Sequence, residues 1–488
     1  MCGFLGVLKL EKDVPFSNDI LAELSPALKH RGPDAFGVHW NGPCGMAHHR
    51  LSIIDCSDAG KQPMCNENDT IWVAYNGEIY NFQDLKKDLA LEKRHQFKSH
   101  TDTEVIIHLY EEQGIECIKY FNGMYAFALW DSTRDTLFLG RDPYGIKPLF
   151  YLKTQDAFWF ASEIKALLNI PSYKTAPNLE ALYHFLSFNY IPGELTAFEG
   201  IRELPPGHII TIDTRNKQPR IIPYFDLEYP IDPTISREDA VAVSLELLEK
   251  AVKRQLISDV PVGVMLSGGV DSSALTALMA KIRGNADFHT FSLKFEDASF
   301  DESKYAAIVA GHIQNKNHHS ITVTVEKVKE LLPKYLAYID EPYGDGSAIP
   351  TYLLAETAKD YVTVLLSGEG GDEFYAGYDT HLAYKFRNLY RKIPAPIRKN
   401  LITPMVNRMP VSHRKLSFDF KAKRFVRGAE LDTPVSHLAW RIVLTEEAKR
   451  EVLANDERFG QFAPSANFFV DAFNHCKDAD ELNRLLYI

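Results

Sequence analysis

The sequence predicts an α+β N-terminal domain, in which helices sandwich two antiparallel sheets, followed by an α/β domain with a parallel sheet and a helical C-terminal extension. Two observations lead to this fold class. The first half carries many short alternating hydrophobic patterns and few helical ones, which is typical of antiparallel sheets covered by helices. The second half alternates strand and helix patterns, which favours a parallel sheet with helices on both faces. Turn-rich sequence places the boundary near residue 220, so we expect domains at 1–220 and 221–488.

The elements of the first half follow from local sequence patterns. Alternation of apolar and polar residues predicts strands at 3–8, 47–54, 71–75, 126–131, 137–141 and 158–162. Helical periodicity predicts helices at 18–28, 81–89 and 103–112, the last after the capping signature Thr101-Asp102-Thr103-Glu104. The turn-rich segment 213–220 predicts a hairpin that closes the domain. In the turn at 140–149, we expect Arg141 and Asp142 to pair with each other as structural residues.

The second half begins with an amphipathic helix predicted at 237–258 and a buried strand predicted at 262–266. The patterns that follow predict strands at 288–295, 319–323 and 362–367, separated by helices at 272–282, 301–313, 328–338 and 349–360. Ligands of parallel sheets bind beyond the carboxyl ends of the strands. The loops at 267–271, 294–301 and 367–373 are therefore the candidate binding loops.

Composition narrows the class of protein. The chain has 488 residues, of which 45% are hydrophobic and 24% charged, as in an ordinary soluble protein. Its net charge of −11 argues against nucleic-acid binding, and we interpret the Lys- and Arg-rich segment 385–427 as solvated helix faces rather than a nucleic-acid patch. No apolar run is long enough to span a membrane, and the N-terminus lacks signal-peptide features. Six scattered cysteines without a C-x-x-C pair argue against disulfides and a zinc site, and favour a reducing cytoplasm.

The first chemical signal is Met1-Cys2-Gly3. If Met1 is removed, the Cys2 thiol lies beside its own α-amine, whose ordinary pKa of about 7.7–8.0 suits a general base. A buried structural cysteine is the alternative. Arg50 lies on an apolar strand, where a lone charge requires a partner. Farther along the chain, the Asn76 side chain and the Gly77 amide are donors suited to an oxyanion hole, and the carboxylate of Glu78 follows them.

The second chemical signal is the segment Ser267-Gly268-Gly269-Val270-Asp271-Ser272, which follows a buried strand and opens a helix. Its glycine amides, its hydroxyls and the helix N-terminus form a phosphate cradle, although the lysine of the P-loop is missing. Asp271 repels phosphate on its own, so it is best explained by Mg²⁺ bound between the carboxylate and the phosphates of a nucleotide. An ordinary strand-to-helix turn with an aspartate cap is the alternative.

A second glycine-rich loop, Ser-Gly-Glu-Gly-Gly-Asp-Glu at 367–373, follows another predicted strand. Its Asp372 can share Mg²⁺ with Asp271, and its Glu369 can accept a proton from an attacking amine. A flexible acidic turn is the alternative interpretation. The presence of both loops in one chain favours the magnesium–nucleotide site.

These motifs together resemble known enzyme families. The synthetase-like motifs, which are the two glycine loops and the segment 340–351, are similar to the second half of glutamine-dependent asparagine synthetases and to the pyrophosphate loop of ATP pyrophosphatases. The N-terminal half resembles the N-terminal-nucleophile glutamine amidotransferases, and the matching motifs are Cys2-Gly3, Arg31-Gly32-Pro33-Asp34, Arg50-Leu51-Ser52-Ile53-Ile54-Asp55, Asn76-Gly77-Glu78-Ile79-Tyr80-Asn81 and Ser99-His100-Thr101-Asp102-Thr103-Glu104.

The resemblance implies a role for each matching residue. Cys2 would attack the side-chain amide of glutamine, while Asn76 and Gly77 would stabilise the oxyanion. Arg50 would pair with the α-carboxylate of glutamine, and Glu78 and Asp102 would hold its α-ammonium group. The further residues that the resemblance implies are Leu51 and Ile53 for glutamine, Leu266, Ser267, Gly268, Gly269, Asp271, Ser272, Leu293, Ser367 and Gly368 for ATP, and Asp271 and Asp372 for Mg²⁺.

The resemblance also implies a function, asparagine synthesis, and an Ntn-hydrolase-type fold for the first domain. Glutamine would be hydrolysed at Cys2, and ammonia would attack a carboxylate, aspartate by resemblance, that ATP has activated as an acyl-adenylate, with release of AMP and pyrophosphate. Two alternatives stay open. One is a related amidotransferase that acts on an acceptor from a surface-sugar or secondary-metabolite pathway, and the other is a glutaminase whose second domain only binds nucleotide. A homodimer stays open. Because family members continue beyond Ile488 with a lysine and acceptor-pocket residues, we expect the synthetase domain to be incomplete at its C-terminus.

Overall fold

The computed structural model describes residues 1–412 and 417–488, which form two compact units that interleave along the chain. The first unit comprises Met1–Asn178, Gly193–Asp226 and Lys253–Pro261; the second comprises Leu179–Pro192, Leu227–Val252 and Val262–Ile488. The single functional boundary expected near residue 220 stays a prediction. Residues 413–416 of the basic segment 385–427 lie outside the described residues. Among the helices that the structure describes, none has the length and apolar character needed to cross a membrane.

The secondary structure is as follows. The strands are β1 (Gly3–Lys9), β2 (Ala35–Asn41), β3 (Cys44–Arg50), β4 (Met64–Cys65), β5 (Ile71–Ile79), β6 (Gly123–Asp131), β7 (Thr136–Arg141), β8 (Phe150–Lys153), β9 (Ala157–Ala161), β10 (Ile201–Glu203), β11 (His208–Asp213), β12 (Arg220–Pro223), β13 (Val262–Met265), β14 (Thr290–Phe295), β15 (His318–Val323) and β16 (Val364–Leu366). The α-helices are α1 (Ile20–Leu24), α2 (Phe82–Asp88), α3 (Thr103–Gln113), α4 (Ile164–Leu168), α5 (Leu179–Phe188), α6 (Arg237–Gln255), α7 (Val270–Arg283), α8 (Ser303–His312), α9 (Val325–Tyr338), α10 (Ala348–Ala358), α11 (Gly371–Tyr375), α12 (Asp379–Tyr390), α13 (Ala395–Ile397), α14 (Thr403–Asn407), α15 (Phe418–Gly428), α16 (Thr433–Ala439), α17 (Glu446–Val452), α18 (Ala466–His475) and α19 (Glu481–Tyr487). Short 3₁₀ helices span Ser25–Arg31, Asp58–Gly60, Leu91–Lys93, Gly114–Tyr120 and Glu457–Gln461, and a π-helical turn spans Arg398–Ile402.

In the first unit, two antiparallel six-stranded sheets pack face to face. One sheet has the strand order β10-β8-β9-β1-β3-β2, and the other has the order β12-β11-β7-β6-β5-β4. The apolar cluster between them includes Phe4 and Phe160 from the first sheet and Ala126 and Trp130 from the second. Further buried clusters attach α1 and α4 to the first sheet and α2 and α3 to the second. The predicted pair of antiparallel sheets between helices is therefore confirmed.

The local predictions for this unit are mostly confirmed, with differences at the ends of elements. The hairpin expected at 213–220 is formed by β11 and β12. The strand predicted at 47–54 ends at Arg50, whereas β5 runs beyond its predicted end to Ile79. The helix α3 begins where predicted, but its expected capping hydrogen bond is not made. Instead, the Asp102 carboxylate accepts hydrogen bonds from Tyr75 and Ile79 of β5.

The second unit contains a parallel sheet with the order β15-β14-β13-β16. Buried Leu266, just past β13, packs against α8, and Phe291 of β14 packs against α10. A helical region from α11 to α19 follows the sheet, and its cluster of Leu438, Ile442 and Phe469 also includes Phe188 of α5. The predicted parallel sheet and helical C-terminal extension are confirmed. Because β13 and β16 are parallel neighbours, the two glycine loops leave the sheet at the same edge.

Candidate active sites

Cys2 lies at the start of β1, beside the end of β3. Its sulfur accepts a hydrogen bond from the Leu51 amide at 3.4 Å and lies 3.6 Å from the Leu51 carbonyl oxygen. Burial raises the pKa of the Cys2 thiol above its ordinary value. The thiol is therefore protonated at neutral pH, and nucleophilic attack by its sulfur requires a base close by.

In the structure the terminal α-amine belongs to Met1 and lies one residue before the thiol. Burial, together with the positive charges of Arg31 and Lys147, lowers the pKa of the Met1 α-amine to about 6. An amine with that pKa is mostly neutral at pH 7 and can accept a proton. Arg31 holds this segment in place, because its Nε donates to the Cys2 carbonyl at 2.8 Å and its Nη1 bonds Glu163 at 2.7 Å.

Asn76 and Gly77 lie within β5, opposite Ala126 and Tyr125 of β6. The Asn76 side chain is only 1% exposed, and its Nδ2 has no hydrogen-bond partner among the residues that the structure describes. Because an unpaired buried donor is costly, this amide suits an acceptor supplied by a ligand. Position 77 requires glycine, since a Cβ there would lie 2.3 Å from the Met124 carbonyl oxygen.

Near Cys2, half-buried Glu78 and buried Asp102 form a pair of carboxylates. Asp102 accepts hydrogen bonds from the Tyr75 hydroxyl at 2.7 Å and the Ile79 amide at 2.8 Å. Burial and the charge of Asp102 raise the pKa of Glu78, and burial also raises the pKa of Asp102. Two buried carboxylates that oppose each other's ionisation form a site suited to a cationic group.

Arg50 ends β3 and organises the loop that follows it. Its guanidinium donates to the carbonyl oxygens of Ile54, Asp55 and Ser57 at 3.1, 2.6 and 2.8 Å. Sequence reasoning expected a partner for this buried charge, and these main-chain oxygens supply one. The loop contains Leu51 and Ile53, which are both half-buried. The pairing of Arg50 with a glutamine carboxylate stays a prediction.

Two residues in the β7–β8 connection differ from expectation. The predicted pairing of Arg141 with Asp142 is wrong. Arg141 forms an ion pair with Glu203 at 2.8 Å and donates to the main chain at Gly145 and Leu204. The Asp142 carboxylate instead accepts main-chain amides, including that of Lys147 at 2.9 Å. Adjacent residues in extended backbone point to opposite sides, which explains why they do not meet.

Lys147 is a candidate site residue that sequence reasoning missed. It is 5% exposed, and burial together with the charge of Arg31 lowers its pKa to about 8, although Glu78 and Cys2 act in the opposite direction. Its Nζ lies 3.0 Å from the Met1 sulfur. The sequence offers one signal, a third charged residue in the turn at 140–149 after Arg141 and Asp142, but nothing local distinguishes it from a structural charge.

In the second unit, the loop after β13 folds back on the start of α7. The Ser267 amide donates to the Ser272 hydroxyl at 3.2 Å, and the two hydroxyl oxygens lie 2.9 Å apart. Gly268 has a φ of +86°, and a Cβ there would lie 2.6 Å from the Ala306 amide nitrogen. The loop therefore needs glycine at this position. Gly269 and Asp271 are exposed at the mouth of the loop.

The structure brings the two glycine loops into contact. A Cβ on Gly371 would lie 2.6 Å from the Asp271 carboxyl carbon, and one on Gly368 would lie 2.7 Å from the Ser272 amide nitrogen. Asp372 follows directly at the start of α11. Leu266, just before the first loop, is fully buried, and Leu293 of β14 is half-buried. Within the second loop, Ser367 and Gly368 are half-buried, and Glu369 is exposed.

Comparison with known proteins matches two family models to this chain. Residues 1–225 match the glutamine amidotransferase domain family, and residues 244–488 match the asparagine synthase family. The fold and sites thus define a glutamine amidotransferase joined to a synthetase domain. A Methanocaldococcus jannaschii protein named for the same synthetase activity is 35% identical over 418 residues. The chain belongs to the glutamine-hydrolysing asparagine synthetase family, a class of ATP-dependent ligases.

The relatives differ from this chain in length. The M. jannaschii alignment covers 82% of this chain and 79% of that protein. Asparagine synthetase 1 of Bacillus subtilis is 33% identical over 82% of this chain, which spans 63% of its length. Among solved structures, a glutamine phosphoribosylpyrophosphate amidotransferase from B. subtilis is 16% identical over 66% of this chain and 81% of its own, with a TM-score of 0.35.

Proposed function

We propose that this chain is a glutamine-dependent asparagine synthetase whose residues 1–220 hydrolyse glutamine and whose residues 221–488 form the amide. The observation that carries the proposal is the group of buried residues around Cys2. The Cys2 thiol, the chain terminus one residue before it, the Asn76 amide donor without a partner in the described residues, and the Glu78 and Asp102 carboxylates lie in one unit. These are the groups that amide hydrolysis of an amino-acid substrate requires.

In the proposed glutaminase reaction, the Cys2 sulfur attacks the side-chain amide carbon of glutamine while the α-amine of Cys2, which removal of Met1 frees, takes the thiol proton. Asn76 Nδ2 and the Gly77 amide donate to the oxyanion that forms. The amine returns the proton to the nitrogen, ammonia leaves, and a γ-glutamyl thioester remains. Water then hydrolyses the thioester and releases glutamate.

Recognition of glutamine is proposed to follow its charges. Glu78 and Asp102 hold the α-ammonium group, whose positive charge favours their ionised forms against the burial that raises both pKa values and the Asp102 charge that raises that of Glu78. Arg50 pairs with the α-carboxylate and keeps Leu51 and Ile53 in position through its contacts with the loop carbonyls.

In the proposed synthetase reaction, the side-chain carboxylate of aspartate displaces pyrophosphate from ATP and forms an acyl-adenylate. Ammonia attacks the acyl carbon, AMP leaves, and Glu369 accepts the proton of the attacking nitrogen. Leu266, Leu293, Ser367 and Gly368 contact the nucleotide. The amides and hydroxyls of Ser267, Gly268, Gly269 and Ser272 bind its phosphates.

Magnesium fits the residues at these loops. Asp271 and Asp372 provide oxygen donors on adjacent loops, and oxygen is the ligand atom that Mg²⁺ prefers. When bound, Mg²⁺ neutralises charge on the leaving pyrophosphate.

We also propose a cytoplasmic location, in keeping with free thiols at all six cysteines, and leave a homodimer open.

The proposal is tested with glutamine that carries heavy nitrogen in its side-chain amide, together with Mg-ATP and aspartate. Mass spectrometry should find asparagine with heavy nitrogen, and AMP and pyrophosphate in equal amounts. The control is Asp372→Asn, which should release glutamate but form no asparagine. Labelled ammonia without labelled asparagine would instead support a glutaminase. An amide of a different carboxylate, tested in parallel, would support a related amidotransferase.

A further inference from the structure

Four ligand-type side chains meet in the first unit, away from Cys2. Glu67 follows β4, His95 lies in the connection between α2 and α3, and His108 and Glu111 lie three residues apart on one face of α3. One donor atom from each of the four side chains lies within 4.8 Å of the others. The glutaminase mechanism uses none of these residues.

The distances between the donor atoms suit a tetrahedral ion. His95 Nδ1 and His108 Nδ1 lie 3.4 Å and 2.9 Å from the same Glu111 oxygen, Oε2, and 3.7 Å and 3.9 Å from Glu67 Oε1 and Oε2, respectively. At zinc–ligand distances of about 2.0–2.2 Å, the edges of a tetrahedron are about 3.3–3.6 Å long. The observed edges lie around that range, so small side-chain rotations would complete the geometry.

His95 and Glu111 have the outer hydrogen-bond partners that metal ligands need, whereas the outer nitrogen of His108 has none among the described residues. His95 Nε2 lies 3.0 Å from a Glu112 oxygen, which fixes the ring with Nδ1 facing the cluster. His108 Nε2 lies 3.6 Å from Glu104. The other Glu111 oxygen accepts a hydrogen bond from Asn66 at 2.8 Å. A carboxylate behind each histidine is the typical outer partner of zinc ligands.

From the grouping of their donor atoms, we propose that Glu67, His95, His108 and Glu111 bind one structural zinc ion. Two neutral imidazoles and two carboxylates balance the charge of Zn²⁺, and nitrogen and oxygen donors in a closed four-ligand site suit this metal. The cysteine pattern argued against a zinc site, but this ligand set uses no cysteine. The ion would connect two loops to the helix that begins beside Asp102, and so would stabilise the glutaminase domain.

A network of protonated histidine and carboxylates is the competing explanation. Burial disfavours a charged ring, but the carboxylates of Glu104 and Glu111 outweigh burial and raise the pKa of His108. Both explanations place a positive charge among the carboxylates. They differ in whether a metal is bound, which a direct measurement decides.

The experiment uses the full chain with Cys2→Ser, which removes one competing thiol, after dialysis against a chelator. Zinc titration should give one tightly bound ion per chain and raise the Tm by several degrees. Cobalt should give the intense visible absorption of four-coordinate Co²⁺. Glu67→Gln and His95→Gln should each weaken zinc binding by about 100-fold or more. Glu116→Gln, an exposed carboxylate nearby in sequence, is the matched control and should bind normally.

Two results would overturn the proposal. A folded parent protein that binds no zinc would assign the cluster to the protonated-histidine network. Equal zinc binding by the parent, Glu67→Gln and His95→Gln would place the ion elsewhere. The Glu67 side chain is 33% exposed and glutamine keeps its shape, so this variant should fold; circular dichroism checks that it does.

Discussion

Asn76 is the residue whose environment most directly indicates chemistry. Its amide nitrogen is buried without a partner in the described part of the chain, although its neighbours in β5 are fully paired with β6. This donor does not stabilise the fold, because leaving a buried polar group unsatisfied lowers the free energy of unfolding by about 1–3 kcal/mol. The cost is explained if the donor bonds to an oxyanion during the reaction.

We therefore expect Asn76→Ala to lower the kcat of glutamine hydrolysis by about 10²–10³ with little change in KM. Steady-state glutaminase assays measure both constants. Asn169→Ala, an exposed asparagine that bonds only within its own helix, is the control and should keep its activity. An unchanged kcat in Asn76→Ala would show that the oxyanion is stabilised by other groups.

Glu78 shows a conflict between stability and substrate binding. Its pKa in the folded protein is raised by burial and by Asp102, so ionising it near neutral pH costs folding free energy. The unfolded chain ionises it freely above its ordinary pKa of about 4.3. Stability contributed by the protonated form is therefore present at acid pH and is lost as pH rises.

Glu78→Gln should consequently raise the Tm by a few degrees at pH 7 and have little effect near pH 4, while the KM for glutamine rises. Thermal unfolding at both pH values and a glutaminase titration measure these effects. Glu92→Gln, which alters an exposed carboxylate, should change neither. A lower Tm at pH 7 would mean that the carboxylate is stabilised by a partner in the folded protein.

At the scale of elements, the sequence predicted the sheets and both glycine loops because periodicity and glycine placement are local. It did not predict the partners of Arg50, Arg141 or Asp102. Arg141 and Asp102 bond to atoms distant in sequence, Glu203 and Tyr75, whereas Arg50 bonds to carbonyls of the loop that follows it, whose course is set by tertiary packing. Tertiary packing decides such contacts, and a single sequence contains no direct record of it.

The contact between the two glycine loops leads to a prediction at this scale. A methyl group at position 371 would meet the Asp271 carboxylate, so Gly371→Ala should displace that carboxylate from its place between the two glycine loops. We expect ATP-dependent amide formation to fall by about 10²-fold or more, with glutamine hydrolysis unchanged. Gly311→Ala, where a methyl group meets no atom within 4 Å, is the control. Full synthetase activity in Gly371→Ala would contradict the role of Asp271.

At the scale of the whole molecule, the two sets of site residues occupy different compact units. Cys2, Asn76, Glu78 and Asp102 belong to the first unit, whereas Asp271 belongs to the second, as does Asp372. The first unit has two sheets and the second has one, and each unit has its own buried clusters. Damage to one set of residues should therefore leave the chemistry of the other set intact.

Cys2→Ala tests this independence. It removes the nucleophile, so glutamine should no longer support amide formation, and glutamate release should fall to background. Ammonium chloride supplied directly should still support the same ATP-dependent synthesis as in the parent, because the nucleotide loops are unaltered. Asparagine and pyrophosphate are measured with each nitrogen donor, and Cys56→Ala, an exposed cysteine, is the control. Glutamine-dependent synthesis that survives in Cys2→Ala would show that the nucleophile lies elsewhere. Loss of ammonia-dependent synthesis in the same variant would show that the two units do not act independently.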